Sequence, residues 1–260
     1  MKAEQRILSV WWPHLAIERW RKSSDCPPDT AVILTVEGTH GPVISAVTKA
    51  AADSGARIGA RLPDARALDP SLVAIPADPA GDAALVERLA RWAGRWSPVV
   101  EVDGANGLRL DVSGVAHLFG GEAALVEDVH KRFAAMGLTS RVAIAPTPAA
   151  AWALARFGGG SAIICRQDLV AQLAPLPVAA LGLGSMAVRT LERLGLKTIG
   201  ALVGVPRRAL ARRFREADNP VDALDRALGR KPEPLTATAC EPPPRVSFGL
   251  AERASDPAML

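Results

Sequence analysis

The sequence of 260 residues is poor in cysteine and in aromatic side chains, and it contains no long apolar run. Its three cysteines, Cys26, Cys165 and Cys240, are odd in number and widely spaced, which suggests neither a disulfide framework nor a zinc site. No apolar stretch is long enough to cross a bilayer, and no basic amphipathic helix with exposed Trp or Phe is evident, so no membrane partner is expected. The opening MKAEQRILSV lacks the basic, apolar and small-residue succession of a secretory signal; a cytoplasmic product is expected. The four histidines, His14, His40, His117 and His130, show no metal-ligand spacing, and no Walker, Rossmann or Gly-x-Ser-x-Gly pattern occurs. These residues imply no cofactor and no metal. Tyrosine is absent altogether, yet tryptophan occurs six times.

What is present is ample material for a core. Hydrophobic residues at 49% against charged residues at 22% exclude a disordered tail, and the length suits two or three small domains. A net charge of +4 points to an anionic partner, nucleic acid before membrane, although GC-rich coding alone also enriches a chain in Arg, Ala, Gly and Pro.

Arg6 to Trp12 reads as a buried strand closed by Pro13, with a core role expected for the adjacent Trp11 and Trp12. Residues 27–79 are broken by prolines and glycines around two strand-like runs, Ala31 to Val36 and Pro42 to Val47. Asp82 to Trp96 sets Leu85, Leu89, Trp92 and Trp96 on one helical face. Val99 to Asp103 and Leu108 to Val112 are strand-like, with Asn106-Gly107 suited to a tight hairpin. A helix from about Glu122 to Ala135 turns Val126, Val129 and Phe133 inward, and Arg141 to Ala145 is a further strand. This order is the βαββαβ of a ferredoxin-like unit, with an irregular insertion after its first strand.

Past Gly158 to Gly160, read as a connector, the pattern changes to short helices: Pro177 to Leu181, Met186 to Leu194 and Thr198 to Val203, then a basic helix from Arg207 through Arg212, Arg213 and Arg215. Gly182 and Gly184 allow a tight turn, and Ser185 is expected to cap the next helix, whose N–H groups favour phosphate. This is how a helix-hairpin-helix grips a DNA backbone without reading sequence. Arg189, Arg193 and Lys197 support that reading; Met186, where a Lys would serve, weakens it. Lys231 to Pro234 and Glu241 to Pro244 read as linker, and Arg245 to Leu250 as one more strand. Glu101 and Asp103 share a strand face, with Asp111 on the partner strand; a metal site there is conceivable, but charge pairs with Arg109 or Arg141 explain these acids better.

With these segments in place the chain resembles the Y family of translesion DNA polymerases. The run SPVVEVDGANGLRLDVSG, Ser97 to Gly114, looks like the family's palm signature; Val142 to Pro148, Leu181 to Leu202 and Pro42 to Pro70 resemble its second palm motif, thumb hairpin and fingers. The resemblance implies an α+β fold with a ferredoxin-like palm (1–12 and 77–165), inserted fingers (13–76), an all-α helix-hairpin-helix thumb (166–232), and a linker with the first strand of a little finger (233–260).

It also implies losses at the chemistry. The family's metal-binding Asp positions on the first strand fall on Trp11 and Pro13, and its hairpin Asp-Glu pair on Asn106-Gly107. Its triphosphate-binding Tyr, Arg and Lys fall on Thr48, Ala51 and Gly159, and its sugar gate on Ala16. That pattern is similar to the ImuB group of bacterial mutagenesis proteins. It implies a non-catalytic, SOS-induced scaffold on primer-template or damaged DNA, acting with an ImuA-like RecA homologue, a C-family error-prone polymerase and the sliding clamp, whose binding peptide is expected beyond this chain. The alternatives are an active polymerase using Glu101, Asp103 and Asp111, and a protein-interaction module that binds no DNA.

Overall fold

The computed structural model describes residues 4–237 except 212 and 215–217. Arg212, Arg215, the second proline run and the strand expected from Arg245 lie outside the described residues.

The first strand, β1 (Ile7–Trp11), lies at the centre of a sheet that the chain completes only after an excursion. That excursion comprises α1 (Leu15–Lys22), β2 (Val32–Gly38), β3 (Gly41–Val47), α2 (Lys49–Asp53), α3 (Leu62–Leu68) and β4 (Val73–Pro76). It builds its own sheet in the order β3-β2-β4, with β2 and β4 parallel, over a core of Ile33, Ile44, Ala51 and Leu72. Then α4 (Pro79–Ala93), β5 (Val100–Val102), β6 (Gly107–Asp111), α5 (Glu122–Ala135), β7 (Arg141–Ala145), α6 (Pro148–Phe157) and β8 (Ala162–Ile163) finish the large sheet in the order β5-β6-β1-β7-β8. β1 runs antiparallel to β6 and β7, as a ferredoxin-like unit requires.

Alternation along β1 assigns the two faces. Leu8, Val10 and Trp12 point one way, join Leu108, Leu110, Val142 and Ile144, and are covered by α4 and α5. There Trp12 meets Phe133 edge-on with ring centroids 5.0 Å apart. Ile7, Ala143 and Ala145 point the other way, under α6, and share a core with the helices that come after it. Adjacent tryptophans therefore part company: Trp12 is fully buried, whereas Trp11 lies half-buried on the second face.

Helical starts carry their signals. Asp78 accepts from Gly81 N at the head of α4, and Thr147 from Ala150 N at the head of α6, each followed by a proline in the first turn. The last third contains α7 (Leu169–Leu173), α8 (Ser185–Arg193), α9 (Ile199–Val203), α10 (Arg207–Ala211) and α11 (Pro220–Ala227).

Two local expectations are corrected. The β5–β6 turn places its positive φ at Gly104, not at Asn106-Gly107; Gly107 lies within β6 opposite Trp11. Asn106 instead ties the turn to β1, donating from Nδ2 to Trp12 O at 3.1 Å and accepting from Trp12 N at 2.9 Å. Nor does Ser185 cap α8. Gly184 occupies the cap without a side-chain bond, and Ser185 is the first helical residue.

Candidate functional site

The positions where the resemblance expects metal-binding acids do come together. β-pairing sets Trp11 opposite Gly107, and Asn106 is bonded to the backbone of Trp12, next to Pro13. Beside Trp11 and Gly107 lies a cation. Arg156, near the end of α6, reaches back so that Nη2 lies 2.7 Å from Asp103 Oδ2, and its guanidinium stacks 4.5 Å from the Trp152 ring and 5.8 Å from that of Trp11. Arg141 approaches the Trp11 ring at 5.6 Å. A Cβ on Gly107 would sit 2.8 Å from Arg156 Nη2, so glycine here leaves the space that the guanidinium occupies. Burial pushes the Arg156 guanidinium below its usual range, and the charge of Asp103 opposes that fall.

The other acids are also engaged. Arg109 lies opposite Glu101 in the register and contacts it at 3.0 Å, with Asp103 at 3.9 Å and Glu233 at 3.0 Å. Asp111, at the far end of β6, accepts from Ser113 N at 2.9 Å. Its place opposite Ile7 separates it from Asp103, which lies beside the Trp11 end of the sheet. Among the described residues no three His, Cys, Asp or Glu side chains are grouped to hold a metal ion. The donors do not fit a pair of divalent cations. The strand positions offer an indole, a proline, an amide and no side chain, and the nearest carboxylate already carries a guanidinium.

At the small sheet, Thr48 is consumed structurally. Its Oγ1 accepts from Val32 N at 3.0 Å and Ala51 N at 3.3 Å and donates to Thr30 O at 3.1 Å. Ala51 is buried in the core of that sheet, so the side chains of α2 that face the neighbouring cavity of about 380 Å³ are those of Lys49 and Ala52, across from His14, Arg21 and Glu18. Ala16 packs beside Ile17 and Leu34. Gly159 follows the end of α6, and a Cβ there would meet open space within 4 Å.

The hairpin of the helical third is open by contrast. Gly182 adopts φ +69° at the end of a short 3-10 turn, where a side chain would be strained. Gly184 leads into α8; its N–H is taken by Asp218 Oδ1 at 2.9 Å, so one donor of the turn already holds an internal carboxylate. Met186, Arg189 and Arg193 are exposed along α8 and line an open depression with Glu192, and Lys197 is exposed just beyond. Of the expected basic helix, Arg207 is paired with Asp225, and Arg213 lies exposed in the turn after α10.

Sequence reasoning missed α6, and with it Arg156 and Trp152. The signal existed: Thr147-Pro148 is a cap followed by a first-turn proline. It also missed Lys49 and Glu233.

Comparison with known proteins gives these positions a context. Residues 28–156 match the impB/mucB/samB family. Protein ImuB of Caulobacter vibrioides is 49% identical over 178 residues, which cover 68% of this chain and 38% of that protein. DNA polymerase IV of Moorella thermoacetica is 30% identical over 181 residues, 67% of this chain and 45% of that one. The matched stretch thus spans less than half the length of either relative. Among solved structures, DinB from Sulfolobus solfataricus superposes with a TM-score of 0.73 at 18% identity, over 89% of this chain and 69% of that one. An insertion ternary complex of Dbh DNA polymerase gives 0.75 at 17% identity, over 88% and 69%. These share the α+β fold of palm, inserted fingers and helical thumb.

Proposed function

Because this chain is an ImuB-like homologue of the Y-family DNA polymerases, we propose that it binds primer-template or damaged DNA in damage tolerance without copying it. One observation carries the reading. Arg156 lies on Asp103 at 2.7 Å and fills the space beside Gly107, so the palm centre holds a fixed cation where two-metal transfer needs converging anionic oxygens. Glu101, Asp103 and Glu233 each already contact an arginine there.

In this reading the thumb supplies the grip. Gly182, Gly184, Ser185 and Met186 bring backbone close to a strand, and Arg189, Arg193 and Lys197 neutralise phosphates, giving affinity without sequence preference. Thr48, Ala51 and Gly159 hold no triphosphate. The partners come from the same kinship and are part of the proposal: a RecA-like ImuA homologue, a C-family error-prone polymerase and the sliding clamp, in the cytoplasm. No helix among the described residues is long and apolar enough to cross a membrane.

Primer extension with Mg²⁺ or Mn²⁺ tests the central claim. No incorporation is expected while the same preparation binds primer-template DNA, with affinity falling as salt rises. Incorporation that disappears in Asp103→Ala would overturn it, and salt-independent binding would overturn the phosphate grip.

A further inference from the structure

Among the described residues after α11, the chain turns back onto the molecule. Residues 231–237 return to the palm face and are fastened there at three points. The Glu233 carboxylate accepts from Arg109 Nη1 on Oε1 at 3.0 Å and from the N–H of Ala149, in the first turn of the ten-residue α6, on Oε2 at 3.1 Å. Leu235 packs on the core that α6 shares with the thumb. Thr236 N donates to Glu101 Oε1 at 3.2 Å.

Glu233 is thus held as an anionic ligand, with a guanidinium on one oxygen and a helix N–H on the other. It is also the carboxylate that Arg109 can best release. Glu101 is fixed opposite Arg109 by strand register, and Asp103, 3.9 Å from Arg109, is held by Arg156 besides. Glu233 arrives on a short strap. Next to it lies a cavity of about 290 Å³ lined by Asp103, Arg109, Trp152, Gly182, Arg226 and Glu233. The anion position and the first glycine of the thumb hairpin therefore border the same space, and one further cationic group, Arg226, lines it.

We propose that residues 231–237 form a displaceable latch: Glu233 occupies an anion position between Arg109 and the first turn of α6, and a phosphate group takes that position and frees the strap. The proposal rests on the DNA-binding reading above. A phosphate presents two charged oxygens to the same pair of donors, while the freed Glu233, already about a quarter exposed, passes to water. The two events are thereby coupled: occupancy of the palm face by a phosphate unfastens Thr236 from Glu101, and fastening of the strap opposes occupancy.

Hydrogen exchange at the Thr236 amide in the full chain reads the latch directly. Without ligand, Glu233→Gln is expected to speed that exchange about tenfold, since local opening now breaks a weaker anchor. It also tightens primer-template binding about threefold, by removing a competing carboxylate. Saturating DNA gives the wild-type chain the same faster exchange. A parallel arm with inorganic pyrophosphate separates the sources: acceleration by pyrophosphate means any phosphate group suffices, and acceleration by DNA alone means that the backbone must be presented by the thumb. Glu233→Ala, with its thermal unfolding recorded, guards against a folding defect in the first variant. Thr236 exchange that ignores both the substitutions and saturating DNA, or weaker DNA binding by Glu233→Gln, overturns the latch. Failure of the wild-type chain to bind DNA at all sinks the DNA reading instead, while exchange in Glu233→Gln still reports on the strap.

Discussion

The palm face and the thumb hairpin use the same residue type in opposite states. On the palm, Arg109 and Arg156 are less than a fifth exposed, and each lies against carboxylates. On the thumb, Arg189, Arg193 and Lys197 are exposed and make no ion pair among the described residues. A guanidinium that already has its anion can take a phosphate only where that anion is displaced, as proposed for Glu233 on Arg109, whereas an unpaired one gains a partner and releases counterions on binding. The net charge of +4 is therefore less informative than its distribution. On the palm, Arg109 and Arg156 are taken up in ion pairs; on the thumb, Arg189 and Arg193 stay exposed.

The sharpest way to break this contrast is to remove the palm cation. Arg156→Ala leaves Asp103, whose side chain is 14% exposed, with only the 3.9 Å contact to Arg109, and strips the stacking partner from Trp152. Loss of one member of such a pair is expected to cost about 3–5 kcal/mol in chemical unfolding. A loss below about 1 kcal/mol would place the pair among solvated surface contacts and erase the difference between the regions.

Gly107→Ala probes the same centre from the strand. The added methyl meets Arg156 Nη2 at 2.8 Å, Asp103 O at 3.0 Å and Val10 O at 3.1 Å, two of these being backbone atoms. A cost of about 1–3 kcal/mol is expected. In an Arg156→Ala background the cost shrinks but does not vanish, because the backbone contacts remain. Strict additivity in that double-mutant cycle would show that the guanidinium does not fill the space beside Gly107.

The thumb responds in binding rather than in stability. Replacing Arg189 and Arg193 together by Ala leaves stability within about 0.5 kcal/mol, as for exposed side chains generally. The same pair of changes lowers DNA affinity about tenfold, and the salt dependence becomes shallower by about one unit for each phosphate no longer neutralised. Unchanged affinity in a filter-binding or anisotropy titration would move the nucleic-acid contact elsewhere.

How far these regions were legible in the sequence depends on the range of their interactions. Strong periodicity gave α5 its bounds, Glu122–Ala135, and a short apolar run gave β7 as Arg141–Ala145. The helix α6 escaped because its run of alanines has no polar face to mark a period, although six of its ten residues are buried. β4, Val73–Pro76, escaped because four residues ending in proline look like loop until β2 pairs with them. At the site, the Arg109 and Glu101 pairing was readable from cross-strand alternation on a hairpin. The contact of Arg109 with Glu233 spans 124 residues and leaves no local trace. The thumb residues stand out because a glycine turn beside cations is a local pattern; the palm cation stays hidden because nothing local announces it.

The smallest effect concerns pH, and it too separates the regions. All four histidines precede the thumb, which therefore contains no group that ordinarily titrates near pH 6.5. On α5, burial pushes the pKa of His130 down from 6.5, with Ser140 Oγ 3.0 Å from Nδ1 and Ser161 Oγ 2.6 Å from Nε2. A depressed pKa means that the folded chain resists a proton that the unfolded chain accepts. Stability is therefore complete above pH 6.5 and declines as pH falls toward the folded pKa, because the unfolded state takes up the proton first. The decline is expected to stay within about 1 kcal/mol, since the ring is only half-buried. His130→Gln should flatten unfolding free energy between pH 7 and 5, while the thumb substitutions leave that slope intact. A slope that persists in His130→Gln would assign the titration to another palm or fingers group; a slope altered by Arg189→Ala would show that the two regions do not keep their charges apart.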